Sequence, residues 1–161
     1  MLDIPGNITS VGCVVTRGES VLVVRLTYGP TEGRYSFPGG WQAVGEELHT
    51  AAVREVREET GVEARSLGLV AVRTRTEPER SVVDLVWLLE HVSGAPRPDD
   101  EEADDARFMP FDEVERRDDV EALVRFVVRR LRTGELRVLR DAGPNRDGAP
   151  GRAREDWTLF A

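Results

Sequence analysis

Two β-branched runs open the chain, ITSVGCVVTR over Ile8–Arg17 and VLVVRLTY over Val21–Tyr28, separated by a short glycine-containing turn. That pattern predicts a β-hairpin. A loop rich in glycine and proline follows, GPTEGRYSFPGG. From Glu47 to Thr60 the residues are mostly strong helix formers, and Gly61 stands where a helix would end on a left-handed residue. Leu67–Thr76 and Ser81–Val92 read as strands, the second apolar enough to lie centrally in a sheet. Arg107–Pro110 reads as a short strand. Val120, Leu123, Val124, Val127 and Leu131 recur at three- and four-residue spacing, which predicts a second amphipathic helix over about Asp118–Arg132. The acid-rich run Asp99–Asp105 does not suggest a packed element.

The order of elements, strands then helix then strands then helix, describes one mixed α/β domain over residues 1–140. Residues 141–161 form a tail rich in glycine, proline and charge over its first part, expected to be partly mobile, with an apolar end, WTLF, able to dock. There is no internal repeat.

Composition narrows the chemistry. The net charge is −8, and all 22 basic residues are arginine. Without lysine, Schiff-base catalysis and the phosphate-binding P-loop are excluded. An acidic chain is poorly suited to bind nucleic acid or an anionic membrane. Val82–Leu89, interrupted by Asp84, is far shorter than a membrane span. The lone Cys13 lies in an apolar run and reads as a small buried hydrophobe in a reducing compartment. With no signal-peptide pattern at the N-terminus, a cytoplasmic protein is expected.

The informative segment is Gly40–Val62, GWQAVGEELHTAAVREVREETGV. On an ideal helix Glu55, Glu58 and Glu59 fall within an arc of about 100°. Like charges so placed repel by roughly 0.2–0.5 kcal/mol per exposed pair, and they occupy the helix end that disfavours anions. Arg54 and Arg57 offset part of this, and a divalent cation would offset more. Oxygen-only ligands suit Mg²⁺ or Mn²⁺ rather than Zn²⁺. The spacing alone fits a solvated Glu/Arg helix equally well.

The same segment resembles the Nudix box, G-x5-E-x7-R-E-U-x-E-E-x-G-U with U a bulky apolar residue. Gly40, Glu46, Arg54, Glu55, Val56, Glu58, Glu59, Gly61 and Val62 match each fixed position. The resemblance implies a Nudix fold, a mixed β-sheet sandwiched between helices with the box as a loop–helix–loop metal site. It implies metal ligands at the Gly39 carbonyl, Glu55 and Glu59, with Glu58 joining as further ions bind. Arg54 would serve the catalytic set by orienting the glutamates. Glu46 would brace the loop, and Gly40 and Gly61 would be structural. Family members also use a carboxylate beyond the box. The spacing E-x4-R-F before the short strand points to Glu102, although any acid of DDEEADD offers the same chemistry. The implied reaction is hydrolysis of a diphosphate linkage, with Glu58 or Glu102 accepting the proton of the attacking water.

The substrate is less legible. Arg34, Arg73, Arg75 and Arg80 lie in segments expected near the cleft, and each offers a fork suited to phosphate. Tyr35, Phe37 and Trp41 bracket the glycine loop, where one could stack on a base. Pro78, sixteen residues beyond the box, stands where members similar to ADP-ribose pyrophosphatases often carry proline, but the chain lacks the long N-terminal region usual in that subgroup. His49 and His91 are isolated, which points to surface or capping roles. The reading is a small-molecule hydrolase acting on a nucleoside diphosphate derivative. A nucleotide sugar such as ADP-ribose stands slightly ahead of a (d)NTP or dinucleoside polyphosphate. A non-catalytic module sensing a nucleotide metabolite is the alternative. The resemblance allows a homodimer.

Overall fold

A computed structural model describes residues 8–76, 78, 80–144 and 158–161. Strand β1 (Ile8–Arg17) is the axis of the main sheet. One of its edges pairs in parallel with β6 (Ser81–Ser93) from Ile8↔Val82 to Thr16↔Glu90. The other edge is shared: β2 (Ser20–Leu26) closes the hairpin at Thr16↔Val21, and the three-residue β4 (Gly39–Trp41) takes Ser10, Val11 and Gly12. Beyond β6 lies β5 (Glu63–Thr76), antiparallel. Beyond β2 lies β7 (Ala103–Pro110), while β3 (Tyr35–Ser36) pairs with Val24 and Arg25 on the edge of β2 that β1 uses at Val21.

Alternation along β1 divides the core. Val11, Cys13 and Val15 face helix α1 (Leu48–Thr60), packing with Ala51, Ala52, Val56, Trp87 and Leu89. Val14 faces the opposite way, with Val21, Val23, Val86 and Met109, against Val124, Val127 and Val128 of helix α3 (Ala122–Thr133). Each fully buried valine contributes roughly 1.5–3 kcal/mol relative to an exposed one, so both helices are fixed to the sheet mainly by apolar burial. Cys13 is buried as expected, and its thiol donates to the Ala52 carbonyl at 3.3 Å.

Several boundaries differ from the expectation. The acid-rich run is not wholly unpacked. It ends inside β7, because Ala103 and Ala106 are buried against Val24 while Asp104 and Asp105 stay at the strand surface. A six-residue helix α2 (Phe111–Arg116) is too short for its periodicity to predict. It follows Pro110, carries Asp112 and Glu113 in its first turn, and buries only Val114. Helix α3 starts at Ala122 rather than Asp118. The preceding residues are held extended by Tyr35, whose N–H donates to the Asp119 carbonyl at 2.8 Å and whose carbonyl accepts from Glu121 at 2.9 Å.

His49 is neither a surface nor a capping residue. Its ring lies 6.5 Å from that of Trp87 and 6.2 Å from that of Phe160. Phe160 belongs to β9 (Thr158–Phe160), which pairs with β8 (Asp141–Pro144) and meets Trp87 edge-on at 4.8 Å. The apolar chain end therefore docks against Trp87 of β6 and His49 in the first turn of α1. Residues 145–157, including Trp157 and most of the stretch expected to be mobile, lie outside the described residues.

Candidate metal and phosphate site

Helix α1 ends on Gly61, whose φ of 66° is a left-handed cap conformation that side chains resist, and its N–H donates to the Arg57 carbonyl. The last two turns thereby hold Glu55, Glu58 and Glu59 beside β4. Gly40 is required by proximity rather than by turn geometry, because a Cβ there would lie 2.6 Å from the Glu55 carboxylate. At Gly39 a Cβ would lie 2.1 Å from the Val11 carbonyl oxygen. Only bare backbone fits between α1 and β1 at this point.

Glu59 is the innermost acid. It is 6% exposed, and its Oε1 accepts a 3.1 Å bond from the Gly39 N–H. Burial first, against that hydrogen bond, and then the charges of Glu55, Glu102 and Asp99 together push its carboxyl up to about 8. Glu55 is also raised, by burial first and then by Glu58 and Glu102, with Arg54 opposing. These couplings bring together acids from the helix and from the loop before β7.

Arg54 organises the rest. Its Nε and Nη2 bond both oxygens of Glu46 at 2.9 Å, its Nη1 reaches Glu55 and Glu58 at 2.8 Å each, and Nη2 also reaches the Trp41 carbonyl at 3.1 Å. This bidentate pair holds Glu46 below the usual carboxylate range and raises the arginine. Glu46 in turn accepts from the Ala43 N–H at 3.1 Å, which closes the loop between β4 and α1.

Glu102 is presented by a built turn. Asp99 Oδ1 accepts three 3.0 Å bonds, from the N–H groups of Glu101, Glu102 and Ala103. The Tyr28 hydroxyl donates to Glu102 Oε2 at 3.0 Å, and burial together with that bond pushes the phenol up to about 12. Neither Tyr28 nor Asp99 was singled out in the sequence. An acid three residues before Glu102 is a turn-capping signal that could have marked Asp99.

The donor set fits a hard divalent ion: oxygen donors only, with one carboxylate buried on a single hydrogen bond. As the side chains stand, no three acids, histidines or cysteines converge on one point among the described residues. Glu55 and Glu58, like Glu46, are instead turned onto Arg54, the available countercharge.

On the opposite side of β4 a cleft of about 520 Å³ is lined by Trp41, Arg73, Arg75, Ser10 and Asp84, among others. A second recess of about 190 Å³ shares several of these residues and reaches Gly39, Gly40 and Tyr28. The four arginines separate here. Arg73 and Arg75 line the cleft, while the Arg80 guanidinium lies over the Trp41 ring at 5.9 Å. Arg34 is not brought to the cleft; its Nη2 donates to the carbonyls of Asp118 and Val120, pinning the approach to α3.

A family model described as the NUDIX domain matches residues 6–130. The chain is similar to the ADP-ribose pyrophosphatase of Methanocaldococcus jannaschii, 26% identical over 103 residues that cover 63% of this chain and 60% of the relative. It is also similar to the NAD-capped RNA hydrolase NudC of Pseudomonas aeruginosa, 36% identical over 100 residues covering 62% and 34%. The chain thus spans between about a third and three fifths of these relatives. Among solved structures, a NUDIX hydrolase from Nitrosomonas europaea superposes with a TM-score of 0.70 at 22% identity, covering 83% of this chain and 94% of that one. A MutT NUDIX hydrolase from Burkholderia pseudomallei gives 0.67 at 20% identity, covering 77% and 97%.

Proposed function

Because the chain belongs to the NUDIX family, we propose that it hydrolyses the diphosphate linkage of a nucleoside diphosphate derivative with the aid of Mg²⁺ or Mn²⁺. A nucleotide sugar of the ADP-ribose kind stands ahead of a (d)NTP or dinucleoside polyphosphate. The relatives named as acting on ADP-ribose and on NAD-capped RNA support that order, and the chain's acidity favours a small molecule over RNA. The observation that carries the reading is Glu59, a carboxyl buried against bare glycine backbone with other acids around it. Such a group is costly unless a cation shares the site.

In this reading Glu55, Glu59 and the Gly39 carbonyl hold the ion, joined by Glu58 and Glu102. The ion, when bound, neutralises phosphate charge and lowers the pKa of the attacking water. Arg54 fixes the glutamates and the loop against one another. Glu58 or Glu102 accepts the water's proton: Glu58 is tied to Arg54, and Glu102 is held by Tyr28. The glycines of β4 leave the site open to the cleft, so a diphosphate can lie against backbone while the rest of the substrate occupies the cleft. Arg75 lines the cleft and the Arg80 guanidinium lies over the Trp41 ring, which supports a role for both in meeting the substrate's anionic groups.

A phosphate-release screen over nucleotide sugars, dinucleoside polyphosphates and (d)NTPs, run with and without Mg²⁺ and with products identified by mass, tests this. Metal-dependent cleavage between the phosphates is expected. Binding without turnover across the panel would leave a sensing module instead.

A further inference from the structure

One transverse row of the sheet has no place in the metal chemistry. Trp41 of β4 pairs with Ser10 of β1, Ser10 with Asp84 of β6, and Asp84 with Arg73 of β5, so four neighbouring strands each give one side chain to the same cleft. Asp84 is 8% exposed. Its Oδ1 accepts from the Ser10 hydroxyl at 2.9 Å, and its Oδ2 accepts from Arg73 Nε at 2.5 Å. Trp41 is 50% exposed. A carboxylate interrupting the apolar run Val82–Leu89 does not serve stability, because well-packed apolar residues do at least as well as a buried ion pair. It serves an acceptor role, since an ionised carboxylate only accepts hydrogen bonds, and each oxygen has more than one lone pair.

We propose that Asp84 is the specificity-determining residue of a ribose subsite, accepting hydrogen bonds from the 2′- and 3′-hydroxyls of the nucleoside while Trp41 covers the base. This rests on the hydrolase reading above for the position of the diphosphate. The sheet supplies the ruler. The Gly39·Gly12·Val86 row abuts the glutamates, and the Trp41·Ser10·Asp84·Arg73 row lies two residues away, about 7 Å along the strands. That is the separation of a sugar diol from a bound diphosphate. The next row, Val82 and Arg75, still lines the cleft and leaves room for the base. A phosphate is disfavoured at Asp84 by charge, whereas a diol presents two donors to two oxygens.

Binding of adenosine 5′-(α,β-methylene)diphosphate, which resists cleavage, is compared by calorimetry with its 2′-deoxy, 3′-deoxy and 2′,3′-dideoxy counterparts. The hydroxyl-bearing form should bind at least about tenfold more tightly than the dideoxy form, as expected for hydrogen bonds to a charged acceptor. Asp84→Asn should reduce that ratio to about threefold or less, and Ser10→Ala should lower it partway. Trp41→Ala should weaken all four ligands alike. An indifferent wild-type protein, or an Asp84→Asn variant that keeps the ratio, overturns the proposal, and the wild-type comparison decides even if the variant folds poorly. Parallel turnover on ADP-ribose separates the two readings. Turnover without hydroxyl preference refutes the subsite alone; hydroxyl preference without turnover on any diphosphate refutes the hydrolase reading alone.

Discussion

Replacing Glu59 by glutamine isolates the cost of the buried acid. Its carboxyl is displaced from the ordinary 4.5 to about 8, chiefly by burial. Below about pH 4.5 the folded and unfolded chains both carry the proton, and no penalty exists. As pH rises, the unfolded chain ionises first while the folded one holds its proton, so stability falls until the folded carboxyl has also titrated. At 1.36 kcal/mol per pH unit the loss reaches ~3 kcal/mol near pH 7 and ~5 kcal/mol above about pH 9. The side chain is almost fully enclosed, so solvent screening removes little of this. Glutamine keeps a carbonyl oxygen for the Gly39 N–H and carries no charge. In chelator-treated protein, urea unfolding of Glu59→Gln should therefore match wild type near pH 5 and exceed it progressively towards pH 9, at reduced turnover. Parallel stability curves across that range would refute the burial argument, whatever the activity of the variant.

Glu58→Gln or Glu102→Gln should lower kcat by tenfold or more with thermal stability close to wild type, because both acids sit at the surface; unchanged turnover in both removes them from the reaction. Gly40→Ala forces its new methyl against the Glu55 carboxyl, so metal affinity measured by Mn²⁺ titration should fall by at least about tenfold with secondary structure intact by circular dichroism. Cys13 is fully buried, and desolvation holds its thiol well above the ordinary range, so a thiol reagent should not label the native protein but should react once urea unfolds it. Early labelling would show that the α1 face opens.

The main hairpin and α1 were readable because their periodicity and caps agree with their final environment: Val11, Cys13 and Val15 alternate with Val14 as a sheet with two covered faces demands. The box carboxylates were readable as a constellation because their spacing is local to one helix. What escaped depends on distant partners. The start of α3 is delayed by Tyr35, eighty-odd residues earlier in the chain. β7 begins within an acid run because Val24 offers Ala103 and Ala106 a surface, which no local propensity encodes. Asp84 read only as an interruption of an apolar stretch, since its Ser10 and Arg73 neighbours arise from strand register. Arg34 looked like a phosphate ligand because a guanidinium is equally suited to carbonyl oxygens, and the sequence does not say which it meets. The packing of His49 depends on Phe160, more than a hundred residues away.

The Arg54 hub has a last consequence for how a cation would enter. One guanidinium already gathers Glu46, Glu55, Glu58 and the Trp41 carbonyl, so the repelling acids are assembled when the chain folds rather than when an ion arrives. Capture would then be a partner exchange, with Glu55 and Glu58 exchanging the Arg54 guanidinium for the ion, unlike the metal-nucleated collapse of a zinc finger. A chelator should empty such a pocket without unravelling the domain, and refilling should need no refolding step.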